Sequence, residues 1–340
     1  MTYKKILIYG FLAALFFSST FAINKWLNVE MSGHWYWTAS LRYIYVFILL
    51  NIIVSFKYGI KMLIETYRCY IHNIVFFLFA GGIGFGVFYL SLCYAASYSA
   101  GWVLASTWQT TILFTPLVLL ILGEKVKLKG VLYLFIMFIG VVFINSFAFD
   151  SLNSNFFNSV TPILLAAFSY PLGNTLCKFA CEGKYQKLSV QKYEISKRPL
   201  IQILLMVSGA LPFIFLVGFI IKPPQPTIYQ LKYIFIIAVL TGVIATYFLY
   251  KARKIAKNDR TALAFADGTQ SLESPLALFW GFILFGEQIP NLIGWIGLIL
   301  LSVGMGLFYY RNIDKGERLP TTKNIVHLAD SAKIQYNSNK

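Results

Sequence analysis

Charge is scarce in this chain, and acidic charge scarcest: 12% of the 340 residues are Asp, Glu, Lys or Arg, and 13 of those are acidic against 29 Lys and Arg. So few polar groups cannot cover a water-soluble globule of this size. Histidine is nearly absent, and His34, His72 and His327 are scattered, which leaves no catalytic or metal-binding cluster. The four cysteines, Cys69, Cys93, Cys177 and Cys181, lack metal or redox spacing and read as reduced packing residues. There is no Gly-x-x-x-x-Gly-Lys-Ser/Thr stretch, which argues against a self-contained ATP-driven pump, and no cofactor is expected. Gly82-Ile83-Gly84-Phe85-Gly86 lies inside an apolar run rather than after a strand. It reads as a small-residue packing surface, not a nucleotide loop.

What the chain has instead is apolar length: 58% of its residues are hydrophobic. Ten stretches are each long enough, at about 1.5 Å per residue, to cross a hydrocarbon core of roughly 30 Å. They run Ile6–Ala22, Trp35–Phe56, Asn73–Ala96, Gly101–Leu122, Gly130–Phe149, Asn158–Cys177, Pro199–Ile221, Tyr233–Tyr250, Thr261–Phe285 and Ile289–Tyr310. The first, preceded by Lys4 and Lys5, has no convincing small-residue cleavage site before Asn24 and reads as a retained span rather than a signal peptide. With the N-terminus inside, 25 of the 29 Lys and Arg fall in inner segments, Lys25, Lys222 and Lys232 fall outside, and Arg42 lies within a span. This distribution fits cytoplasmic N- and C-termini in a cytoplasmic membrane, and it assigns the net charge of +16 to topology rather than to nucleic acid.

The second half repeats the first. Ala13–Lys25 overlays Ala166–Lys178 at an offset of 153, Gly101–Pro116 overlays Arg260–Pro275 at 159, and Gly123-Glu124 matches Gly286-Glu287 at 163. Each Gly-Glu leads into a span carrying glycines ten apart, Gly130 and Gly140, then Gly294 and Gly304. Five spans between equivalent positions turn one half upside down relative to the other. The predicted fold class is an all-α polytopic membrane protein of ten transmembrane helices in two inverted five-helix repeats, residues 1–150 and 151–310. A basic inner loop over 182–198 joins them, and a polar cytoplasmic tail follows over 311–340.

Charges inside a bilayer are expensive and usually face a cavity or a partner. Arg42 lies about 10 Å into the second span, and Glu273 lies about 18 Å from either end of the ninth. The two are compatible in depth and opposite in charge, so a pairing across a central cavity is expected, whether for transport or only to fix helix register. Asp267, six residues from Glu273, reads on a straight helix as a wetted residue near the inner mouth. Glu273 is the better candidate for binding and releasing a proton. A polar stripe of Thr107, Trp108, Gln109, Thr110 and Thr111, with Thr269, Gln270 and Ser271 in the ninth span, reads either as interhelical hydrogen bonding or as a substrate wall. Glu124 and Glu287 read as first-turn or capping residues that set tight interhelical turns.

With these features the chain resembles the drug/metabolite transporter superfamily, the EamA-like ten-helix group, over about residues 5–310. Within it, Trp35–Tyr43, Ser169–Asn174, Gly242–Thr246 and Thr269–Glu273 resemble the multidrug resistance efflux branch. The resemblance implies proton-coupled or facilitated export of small molecules by alternating access. It departs from the small four-helix multidrug relatives, which carry their essential glutamate in the first span, whereas here that span has no acid. The expected site residues are Arg42, Glu273, Asp267, Trp108, Gln109, Tyr170, Asn174 and Gln270. The expected partners are the lipid bilayer, a small-molecule substrate and protons, in a monomer or homodimer. A metabolite exporter of amino acids or nucleosides, with Arg42 meeting a carboxylate or phosphate, is the nearest alternative. A non-transporting membrane partner or sensor is the alternative of another class.

Overall fold

The computed structural model describes residues 2–124, 131–146, 155–193, 198–256, 266 and 269–314. Every regular element among them is helical. The helices are α1 (Thr2–Val29), α2 (Trp35–Tyr58), α3 (Ile60–His72), α4 (Ile74–Gly81), α5 (Phe88–Ala95), α6 (Gly101–Trp108), α7 (Thr111–Ile121), α8 (Val131–Ser146), α9 (Asn155–Glu182), α10 (Pro199–Ile221), α11 (Ile228–Val239), α12 (Thr246–Ile255), α13 (Glu273–Phe285) and α14 (Leu292–Asp314). Seven continuous helical runs are long and apolar enough to cross a membrane: Tyr3–Val29, Trp35–Tyr58, Ile74–Ala95, Gly101–Ile121, Phe157–Glu182, Pro199–Ile221 and Ile228–Ile255. Phe135–Ser146 and Leu292–Leu307 are shorter apolar helices.

Several boundaries depart from the sequence expectation, with α9 reaching Glu182 and the eighth span running Ile228–Ile255. α1 continues through Asn24 and Asn28 to Val29 because both amides find partners on the third span, Tyr89 and the Cys93 carbonyl, that offset the cost of polar side chains in a buried helix. α14 runs on to Asp314, so the first residues of the expected tail continue the helix. The inner connection between the second and third spans also holds a helix, α3. Its Ile60, Ile64 and Ile71 are exposed while Thr66 and Cys69 are buried, and Lys61 and Arg68 lie along it. An amphipathic helix of this composition lies in the membrane interface rather than across it.

Three of the helical runs, the third, fourth and eighth spans, are interrupted midway, and a tight turn stands in the described part of the expected ninth span. The third carries a π-helical segment, Gly82–Val87, and the eighth carries another, Leu240–Ala245, 158 residues later. The fourth tightens at Gln109 and Thr110, whose N–H groups donate to Ser106 and Thr107 carbonyls three residues back, at 3.1 and 3.0 Å. The ninth carries a 3-10 turn, Thr269–Leu272, directly before α13. Such departures survive in an apolar medium only where protein covers the loosened backbone.

The neighbour relations pair off in the same way. α1 packs on the eighth and ninth spans, and α9 packs on the third and fourth. α2 packs on α11 as α10 packs on α4; α2 also meets α10, α6 meets α13, and α8 meets α14. Small residues permit the closest crossings. A Cβ on Gly173 would lie 2.2 Å from the Gly84 Cα, so the third span and α9 touch backbone to backbone. The Gly82–Gly86 stretch therefore does act as a packing surface, with Gly84 at its centre, and Gly140 meets Gly297 in the same way between α8 and α14.

Candidate functional site

α2 carries Arg42 inward toward the third span. The half-buried guanidinium donates from Nη1 to the Tyr89 hydroxyl at 2.7 Å and stacks over the Tyr89 ring with Cζ 4.4 Å from the centroid. The same hydroxyl accepts Asn24 Nδ2 from α1 at 3.1 Å, and that amide also reaches Cys93 Sγ at 3.7 Å. Tyr43 closes the group, edge-on to Tyr89 and stacked on Phe85. An aromatic chain leads from here to the expected substrate wall. Tyr89 adjoins Phe88 at 5.7 Å, and Phe88 lies 4.9 Å from both Trp108 and Tyr170, which are 5.4 Å from each other. Asn174 donates to the Tyr170 carbonyl one turn back at 2.8 Å, and Gln109 follows Trp108 in the tight turn, buried, with its Nε2 unbonded. Arg42, Trp108 and Tyr170 are thus linked through the third span, while Asn174 bonds within α9 and Gln109 follows Trp108 in the turn.

Glu273 and Gln270 sit apart from that group. Glu273 opens α13, where the helix N-terminus favours a carboxylate, and keeps only 8% of its surface accessible. Gln270 donates to Thr269 Oγ1 at 3.3 Å. No salt bridge among the described residues joins Arg42 to Glu273, so the expected pairing is not formed in this conformation. An arginine near the middle of a membrane helix costs about 2.5–3.5 kcal/mol on insertion scales, and more where its partner is missing. Asp267 lies outside the described residues.

Part of the polar stripe is structural. Ser106 and Thr110 donate their hydroxyls to the Trp102 and Thr107 carbonyls, and Thr107 Oγ1 accepts Asn145 Nδ2 from α8 at 2.9 Å. With these roles assigned, what remains for chemistry is two separated charges and an aromatic wall inside a helical bundle.

The family model described as "EmrE: Putative multidrug resistance efflux transporter" matches residues 4–313. The chain belongs to this family. Two relatives are similar along most of their lengths. The uncharacterized protein YjlA of Bacillus subtilis (strain 168) is 28% identical over 338 residues, 95% of this chain and 99% of its own. An uncharacterized 42.1 kDa protein of Shouchella clausii, from the 3' region of an intracellular alkaline protease, is 30% identical over 295 residues, 84% of this chain and 74% of its own. Family and apolar helices together make this a multi-pass membrane protein of the efflux transporter type.

In this family member the two Gly-Glu turns do more than shape their own loops. Gly123 and Gly286 take left-handed φ of +83° and +61°, the conformation that ends a helix at glycine. Glu287 does not cap the helix after it. Both of its carboxylate oxygens accept the Gly101 N–H, at 3.0 and 2.9 Å, so it caps α6 from another part of the chain. Burial raises its pKa above the usual carboxylate range, against the opposing pull of that N–H and of Lys25. Glu124 instead pairs with Lys184 of the inner connecting loop. That basic connecting loop is pinned by Ser189 on Asn73 and by Tyr193 on His72.

Sequence reasoning missed Tyr89, Phe88 and Cys93 as site residues. Aromatics make up 18% of the chain, so no pattern sets these two apart.

Proposed function

We propose that the protein is a secondary-active exporter of small molecules that works by alternating access between two inverted five-helix halves, residues 1–150 and 151–310. Its ten helices would cross the cytoplasmic membrane with both termini inside. The observation that carries this reading is the matched interruption of equivalent spans, π-helical in the third and eighth and tightly turned in the fourth and ninth, in a chain of an efflux transporter family. Broken helices at the interface of inverted repeats are where transporters of this architecture bind their cargo. The main neighbour relations support the same symmetry, since exchanging spans five positions apart turns α1 on the eighth and ninth into α9 on the third and fourth and α2 on α11 into α10 on α4, while the contacts of α1 with α6 and of α2 with α5 have no such mate. Glu273, buried, central and without an ion-pair partner, is the proposed proton carrier.

The test is solute flux in proteoliposomes under an imposed pH gradient, with cationic dyes and anionic or zwitterionic metabolites offered in parallel. Gradient-driven flux that Glu273→Gln abolishes, with exchange retained, supports proton coupling at Glu273. Gradient-driven flux unaltered in Glu273→Gln removes that role, and no flux of any solute favours a non-transporting membrane protein. Reporter fusions at both termini check the topology.

A further inference from the structure

We propose that Arg42 and Tyr89 form the binding site for an oxyanion, a carboxylate or phosphate carried on an apolar or aromatic body, and that this anion is the transported group. The inference rests on the transporter reading above and names its substrate class. A guanidinium has five N–H donors, and Arg42 spends one of them on a protein partner, the Tyr89 hydroxyl. None of the salt bridges among the described residues involves Arg42, so neither buried carboxylate described, Glu273 or Glu287, pairs with it. The Tyr89 oxygen already accepts from both Arg42 and Asn24, so what it still offers is its proton, and the acceptors beside it are the weak Cys93 sulfur and the buried, unbonded Asn24 Oδ1. The four remaining N–H donors of Arg42 still outnumber these neutral acceptors, and planar, bidentate oxyanion recognition is what arginine does best.

The same geometry works against a lipophilic cation. Cations bind aromatic sites over an open ring face, but the Tyr89 face is already covered by Arg42 at 4.4 Å. A second positive charge would meet that guanidinium at short range in a medium of low polarity. Phe88, Trp108 and Tyr170 continue from Tyr89 as a wall of rings. They offer the remainder of the ligand an apolar surface, so an anion with a hydrophobic body fits both parts of the site.

The experiment uses the purified full-length chain in a neutral detergent and follows its thermal midpoint by intrinsic fluorescence. The probes are benzoate, phenyl phosphate, tetraphenylphosphonium and phosphatidylglycerol. Benzoate or phenyl phosphate should raise the wild-type midpoint, and their apparent affinity should fall by about tenfold in Arg42→Lys, which keeps the charge but loses the fork. Arg42→Gln should lose the shift, and Tyr89→Phe, which keeps the ring, should weaken it. If Arg42→Gln does not fold, the lysine and phenylalanine variants still decide the question. A shift by tetraphenylphosphonium that persists in Arg42→Lys, or no shift by either soluble anion, overturns the proposal. A shift by phosphatidylglycerol alone assigns the guanidinium to a lipid headgroup and overturns a solute site. Anion stabilisation through Arg42 with no flux of any solute refutes transport but leaves the site. Gradient-driven export of cations insensitive to Arg42 leaves transport and refutes the site.

Discussion

Glu287 and Gly101 are 186 residues apart in sequence and joined in space, where both oxygens of one carboxylate take the first N–H of α6. Lys25 and Glu30 border the same pocket. Burial holds the Glu287 carboxyl above its ordinary value, so the folded protein binds its proton more tightly than the unfolded chain. This group's contribution to stability is therefore fully present below about pH 4.5 and falls as pH rises through the raised pKa. Melting curves in detergent across that window should show the decline in wild type and a flatter profile in Glu287→Gln. Glu287→Ala, which leaves the Gly101 N–H without its partner, should cost about 1–3 kcal/mol.

Gln230 ties together the outer ends of the bundle. Fully buried, it donates from Nε2 to the His34 carbonyl and to Thr38 Oγ1, both at 2.9 Å, and Thr38 donates to Asn28, which bonds the Cys93 carbonyl and Ser97. Gln230→Ala should destabilise the protein by about 1–3 kcal/mol and strand the Thr38 and His34 groups. If this network closes the outer side, thiol labelling of an introduced cysteine at Ser97 should also speed up.

The contact between Gly84 and Gly173 leaves no room for a side chain. Gly173→Val should lower the thermal midpoint or the yield of folded protein, with overpacking costing about 1–3 kcal/mol or more where backbone meets backbone. A variant as stable as wild type would mean that the third span and α9 separate readily.

Trp108, Phe88 and Tyr170 are predicted to act on the substrate rather than on folding. Trp108→Ala should reduce flux severalfold while lowering stability by only about 0.5–1.5 kcal/mol beyond the lost apolar area. Equal losses of flux and of folded protein would make the cluster structural.

The sequence by itself determined the solvent this protein lives in and most of its helices. Long runs with few charges cannot fold in water, and the Gly-Glu pairs mark helix ends because glycine takes the left-handed cap. Trp108, Tyr170 and Arg42 were also legible as candidates, since polar and aromatic groups in apolar spans are conspicuous. What the sequence could not give was partnership. Tyr89 binds Arg42 across 47 residues, and Glu287 caps a helix 186 residues away. These are contacts between helices, where small differences in rotation and depth select one neighbour over another. Opposite charge and matching depth suggested Arg42 with Glu273, but packing set Tyr89 beside the guanidinium and left the carboxylate elsewhere. Apolar length likewise marked the third and fourth spans without their interruptions. Only tertiary packing, which covers the loosened backbone of the interrupted segments, decided that they are broken and where.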